Sequence, residues 1–257
     1  MSGGRYNLAS VERALRLLEL FEKKGVESLR LSDIADALGV GATVAFRLAN
    51  VLATAGYLHR ESDSKTYRLG VRLFALASRV EPVGLVRQHA RQAMTNLVAA
   101  TGETSLLSTR SGLDTVCIER VEASHFIKVT MEIGKHGPLH AGASGKVLLA
   151  HAPEHIVGAV LSTGLKRYTQ NTIVCADALR ERLGLIRARG YDVSKEELDP
   201  GVTAIAAPVH AADKVLACIA VVLPTSRCLS HNQLQEMVSL VKAAAQEACL
   251  DGKQSMY

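Results

Sequence analysis

Thr43, Phe46, Arg47 and Asn50 place a hydroxyl, an aromatic ring, a guanidinium and an amide on one side of a single helix. In a major groove these groups read base edges: arginine pairs with guanine, asparagine with adenine, and apolar surface meets the thymine methyl. An ordinary solvated face would carry Glu and Lys instead. Ala42 and Ala45 on the same helix, and Ser32 on the one before it, complete the candidate contact set. The same pattern also fits a helical hairpin inside an ordinary core, with Phe46 buried against a neighbour.

The elements that must hold these residues run from Leu31 to Leu58, which reads as two short helices joined by a tight turn. Ser32 is expected to cap the first, whose N-terminus carries Asp33 and Asp36 where the helix dipole favours negative charge. Ile34, Ala35 and Leu38 form its inner face, and Gly39 with Val40 makes the turn. In the second helix Val44, Leu48, Val51 and Leu52 are expected to face the core. A preceding helix, ending near Gly25, offers Val11, Ala14, Leu15, Leu18 and Phe21 as a face to pack beneath the pair. Behind the recognition helix, Tyr57–Arg60 and Thr66–Leu69 read as two strands around a polar turn, Glu61 to Lys65. A hairpin in that place is a wing, and Arg60, Lys65 and Arg68 on it can meet phosphates or enter the minor groove. As charges on a small hairpin they would simply be solvated.

The chain has 257 residues, net charge +5, 48% hydrophobic and 21% charged residues, which favours two domains and excludes a disordered chain. No apolar stretch approaches bilayer length and MSGGRYNLAS has no apolar signal core, so a cytoplasmic protein with no membrane partner is expected. Between Ala42 and Arg72 the basic residues Arg47, Arg60, Lys65, Arg68 and Arg72 face only Glu61 and Asp63, which suits a polyanion. Cys117, Cys175, Cys218, Cys228 and Cys249 include no CxxC pair, so no metal site and no disulfide framework is indicated. A redox- or metal-responsive sensor built on these cysteines is the alternative function. An enzyme could draw on His140, Cys117, Asp192 and Glu196, but no nucleophile elbow or ligand spacing links them, and no catalytic residue or cofactor is assigned.

Gly70 to Val80 is apolar at helical spacing and Pro82 interrupts it, as a linker would. A helix from Val83 to Thr101 follows. Strands are expected at 104–108, 115–120, 127–132, 191–193, 204–210 and 215–223, with helices at 144–150, 153–161, 175–189 and 230–249. Ser230 and Gln233 form a capping box on the last. This texture is an α/β domain with a mostly antiparallel sheet and helices packed on it. GASGK, Gly142 to Lys146, opens a helix whose free N–H groups at Ala143, Ser144 and Gly145 suit a carboxylate; it also suits a plain helix start packed closely on the sheet.

The whole chain resembles the IclR family of bacterial transcription regulators. The matches are SVERALRLLELF at Ser10, LSDIADALGV at Leu31, GYLHRE and YRLG in the wing, IERVEA at Ile118, PLHAGASGKVLLA at Pro138, RGYDVSKEELDPGVTAIAAPV at Arg189 and PTSR at Pro224. The resemblance implies a winged helix-turn-helix domain over residues 1–69, a linker helix over 70–83 and a GAF-like effector-binding and oligomerisation domain over 84–257. It implies a dimer or dimer of dimers on double-stranded operator DNA, more often a repressor of a catabolic or metabolic operon. The family commonly has Pro, Lys, Ser and Thr where this chain has Gly41, Ala42, Thr43 and Val44, so the operator does not carry over. Carried over by position, the effector pocket is walled by Phe126, Val129, Gly137, Ala143, Ser144, Ser194, Val202, Ala204, Ala220 and Val222, with Gly145 at the helix start. That apolar set implies a carboxylic acid with a larger, aromatic or mainly apolar body.

Overall fold

The computed structural model describes residues 8–24, 26–61, 65–77, 83–126, 128–212, 214–227 and 230–250. Gly25, the tip of the expected wing turn and Pro82 lie outside them. Contacts divide the chain into two units, Met1–Val80 and Glu81–Tyr257.

In the first unit α1 (Ala9–Lys24) buries Leu17 and Phe21, while Val11 and Leu15, expected to face inward, are exposed. The strand β1 (Leu29–Arg30) runs directly into α2 (Leu31–Leu38). Because Arg30 is held extended by pairing with Thr66, the helix starts one residue before the expected cap. Arg30 is the N-cap, its N–H donates to the Asp33 carboxylate at 3.0 Å, and Ser32 caps nothing. Gly39, with φ +61°, ends the helix as expected, and Val40 donates back to the Ala35 carbonyl at 3.0 Å.

The next helix, α3 (Ala42–Thr54), corrects a second expectation. Its buried side is Ala45, Ala49 and Leu52, whereas Val44 and Val51 stand exposed, Val51 by 66%. Small residues four apart let the neighbouring helices close on α3, so the valines fall on its flank rather than in the core. Strands β2 (Leu58–Arg60) and β3 (Thr66–Leu69) form the wing hairpin, and β1 joins it in the order β1-β3-β2. Helix α4 (Val71–Ala77) buries no residue, with Val71 and Phe74 largely bare.

The second unit is a six-stranded antiparallel sheet in the order β6-β5-β4-β9-β8-β7. Its strands are β4 (Thr104–Ser111), β5 (Asp114–Val121), β6 (His136–Pro138), β7 (Asp192–Lys195), β8 (Val202–Ala211) and β9 (Lys214–Pro224). Alternation along β8 and β9 sorts the two faces. Ile205, Ala207, Val209, Ile219, Val221 and Leu223 meet α5 (Val83–Thr101) and α9 (His231–Glu247), and α9 carries the expected Ser230–Gln233 capping box. Ala206, Cys218 and Ala220 meet α6 (Ala143–Ala150), α7 (Glu154–Ser162) and α8 (Ala176–Arg189). The strand expected at 127–132 is not formed: the described residues from 122 to 135 hold no helix or strand. Among the described residues no single helix is long and apolar enough to cross a membrane.

Glu119 on β5 ties α5 to the sheet, accepting from Arg87 at 2.8 Å and facing Arg91 at 3.2 Å. Burial would raise its pKa, but the Arg87 hydrogen bond, the Arg120 N–H and both guanidiniums outweigh burial and hold the carboxyl below 4.5. A lowered carboxylate stabilises the fold above its unfolded pKa and loses that contribution as pH falls through the folded one. Glu119→Gln is therefore expected to cost about 1.5–3 kcal/mol at neutral pH in urea denaturation. The gap between variant and parent should close as pH drops below the ordinary glutamate range.

Candidate DNA-binding face and effector chamber

Helix geometry gives α3 three working sides. Opposite the buried Ala45 and Ala49, the exposed Thr43, Arg47 and Asn50 point away from the core together, with Ala42 exposed at the N-terminus. Ala45, fully buried, is removed from the contact set because it packs beneath the helix. Phe46 is part-exposed and turns toward the wing, where the Arg60 guanidinium lies 5.9 Å from its ring centroid. Phe46 is thus neither core nor isolated, and its ring holds a wing arginine by a cation–π contact. Arg68 pairs with Glu61 at 2.7 Å, so a phosphate must compete with that carboxylate for it. Lys65 is exposed, and so is Ser32 on α2. On the remaining flank of α3, Val44 and Val51 line an apolar groove of about 670 Å³ with Val11 and Leu15 of α1.

In the second unit a chamber of about 100 Å³ lies between the sheet and the start of α6. Its floor is one row of cross-strand neighbours, Ser194, Ala204 and Val222. Val202 and Gly137 close two sides, Val129 covers it from the irregular segment, and Ala143, Ser144 and Gly145 present the helix start. Two residues carried over by position do not belong. Phe126 is fully exposed on the irregular segment, and Ala220 sits two residues further along the sheet, packed beneath α6 with Ala206. The structure adds Leu106, Ser108, Thr115, Thr130, Met131, Lys135, Leu198 and Asp199, so the lining is more polar than expected. Ser108 and Ser194 are 4% and 2% exposed, and both line the chamber. The α6 N–H groups of Ala143, Ser144 and Gly145 precede the first turn's acceptors and no side chain caps them, which leaves donors and a favourable dipole facing the chamber.

This helix start sits unusually close to the strand beneath it. A Cβ on Gly145 would fall 2.3 Å from the Pro138 carbonyl oxygen, so only glycine allows the approach. The next residue, Lys146, is fully buried, and its ammonium is held by the Glu197 carboxylate and by Asp192 Oδ2 at 3.2 Å. Asp192 Oδ1 also takes Arg182 at 2.8 Å and Arg189 at 2.6 Å. Thr169 and Thr172 donate to the Glu196 and Glu197 carbonyls at 2.5 and 2.7 Å. The loop that supplies Leu198 and Asp199 to the chamber is thereby fastened to the helix that supplies its N–H groups. Sequence reasoning missed this cluster, although a lysine inside the small and apolar run ASGKVLLA was its signal.

The other candidate chemistry is engaged elsewhere. His140 bonds the Lys166 carbonyl at 2.9 Å, and Asp192 belongs to the ion cluster. Burial pushes the Cys117 thiol up to about 11 and the Cys218 thiol up to about 12, which suppresses the reactive thiolate. Cys175 is exposed, Cys249 is part-buried, and Cys228 lies outside the described residues. No His, Cys, Asp and Glu group fit for a metal occurs among the described residues.

A winged helix-turn-helix followed by a chambered antiparallel α/β unit defines a DNA-binding transcriptional regulator. Residues 10–62 match the IclR helix-turn-helix domain and residues 83–250 the bacterial transcriptional regulator IclR C-terminal domain, so the chain belongs to the IclR family. It is 31% identical over 240 residues to the transcriptional repressor AllR of Salmonella typhimurium, spanning 93% of this chain and 88% of that protein. To the regulator XynR of Escherichia coli it is 32% identical over 222 residues, 86% and 88% of the two chains. Among solved structures, an IclR regulator from Alicyclobacillus acidocaldarius superposes with TM-score 0.80 at 28% identity, covering 97% of this chain and all of that one. An IclR homolog from Microbacterium hydrocarbonoxydans complexed with 4-hydroxybenzoate gives TM-score 0.82 at 26% identity, covering 93% and 97%. These relatives are regulators, not enzymes.

The ion cluster makes a direct prediction. Lys146→Met strands two buried carboxylates and is expected to cost roughly 3–5 kcal/mol in urea denaturation. Adding Glu197→Leu should restore a large part of that loss.

Proposed function

We propose that this regulator represses a catabolic or metabolic operon and is controlled by a small carboxylic acid with an aromatic or largely apolar body. The observation that carries the reading is the chamber at the start of α6, where free N–H donors and buried serine hydroxyls meet a floor of Ala204 and Val222. Donors at one end suit a carboxylate, and the apolar floor suits a ring or short chain. The complex of the Microbacterium homolog with 4-hydroxybenzoate supports a ligand of that type.

On the DNA side, Thr43, Arg47 and Asn50 read bases, while Arg60, Lys65 and Arg68 hold phosphates. Two copies present their α3 helices to half-sites about one helical turn apart, or multiples of it. The exposed apolar groove beside α3 and the bare α4 support a homodimer or dimer of dimers, since large apolar patches on a small unit mark interfaces. The setting is the cytoplasm, where the DNA is. The acid acts by binding the DNA-competent and incompetent arrangements with different strength, and residues 70–83 carry the change.

Two results test this. On duplexes selected from a random library, Arg47→Ala should lose roughly 1–3 kcal/mol on the selected sequence and little on random DNA. Arg68→Ala should weaken both alike and flatten the salt dependence; equal losses for Arg47→Ala would remove it from the readout face. In a thermal-shift panel, benzoate-type acids should raise the melting temperature more than two-carbon oxo acids. Stabilisation confined to the two-carbon acids would refute the apolar ligand.

A further inference from the structure

A second cavity, about 350 Å³, adjoins the chamber and shares Met131, Lys135, Gly137, Pro138, Leu198 and Asp199 with it. An apolar cavity of about 150 Å³ takes one benzene ring. The inner chamber, about 100 Å³, is therefore smaller than a whole ring needs and holds a carboxylate with a short chain or the near edge of a ring, and any larger ligand passes between these six residues into the outer cavity. Two of the six are charged and opposite. Lys135 precedes β6, Asp199 lies on the loop before β8, and both side chains are exposed. Neither makes an ion pair or side-chain hydrogen bond among the described residues. Beyond them the outer wall adds Tyr168 and the Asp114–His136 pair, separated by 3.7 Å.

We infer that the effector is an elongated acid whose far end carries an uncharged hydroxyl or amide, read jointly by Lys135 and Asp199; this rests on the chamber being the effector site. The inner end is set by the α6 N–H groups and the two buried serine hydroxyls. At the outer end a second carboxylate meets Lys135 but is repelled by Asp199, and an ammonium meets the reverse. A methyl group displaces water from both charges and returns nothing. A hydroxyl or carboxamide accepts from the ammonium and donates to the carboxylate, so each charge keeps a partner. The opposed pair thus selects a neutral group that is both donor and acceptor.

The test is calorimetric titration of the full-length protein with benzoate and 3-phenylpropanoate series, each bare or carrying a para hydroxyl, carboxamide, methyl or carboxylate. In at least one series the hydroxyl or carboxamide acid should bind about tenfold tighter than its methyl and dicarboxylate counterparts. The advantage should shrink to about twofold in Lys135→Met with Asp199→Asn, taken relative to the bare acid in the same variant. Equal binding of the methyl acid or the dicarboxylate, an advantage that survives the double change, or silence in both series overturns the inference. Ala204→Leu, which fills the inner chamber from its floor, separates the two readings. Acids that bind this variant as well as the parent place the site elsewhere and sink both. Binding abolished by Ala204→Leu but indifferent to the para group sinks only the inference drawn here.

Discussion

The second unit is organised around how tightly α6 is seated. Gly145 lets its first turn approach the Pro138 carbonyl, small residues Ala206 and Ala220 let its body lie close to the sheet, and Lys146 locks it from below to Asp192 and Glu197. Burying an ammonium among carboxylates adds little net stability compared with a well-packed apolar replacement, and its loss from one side is severe. Its structural consequence is geometric. One lysine fixes the relative placement of the helix donors and of the loop bearing Leu198 and Asp199, so the chamber has defined walls on both sides.

A comparable economy shapes the DNA-binding unit. Because α3 packs through Ala45 and Ala49, little of its circumference is spent on the core. One remaining sector carries Thr43, Arg47 and Asn50, another carries Phe46 against Arg60, and the third leaves Val44 and Val51 on an apolar groove. An exposed polar set, the wing attachment and an apolar groove therefore share one short helix.

Most elements were legible because apolar periodicity, the Gly39 turn and the Ser230–Gln233 box are local signals, and the helix and strand ends shift by only a few residues. What was misread has physical causes. Periodicity ranks large apolar residues as core, so in α3 it preferred Val44 and Val51 to Ala45 and Ala49, and in α1 it turned Val11 and Leu15 inward where Leu17 packs. Ser32 looked like a cap because nothing local reveals that Arg30 is held extended by pairing with β3. Ser194, Ala204 and Val222 share one wall of the chamber because register lines them up across three strands. Phe126 does not join them, since the segment around it forms no strand, and Ala220 does not, since α6 covers it. Lys146 is far in sequence from Asp192 and Glu197, and only the fold brings it to them.

Occupancy of the α6 chamber is expected to change the affinity for DNA. Anisotropy of a labelled duplex, selected from a random library, measures this directly when titrated with the protein with and without a saturating benzoate-type acid found to bind it. The acid should alter the DNA affinity several-fold in the parent and leave it unaltered in Ala204→Leu. An acid that binds in the chamber yet leaves DNA affinity unchanged, or one that shifts it equally in Ala204→Leu, would contradict this expectation.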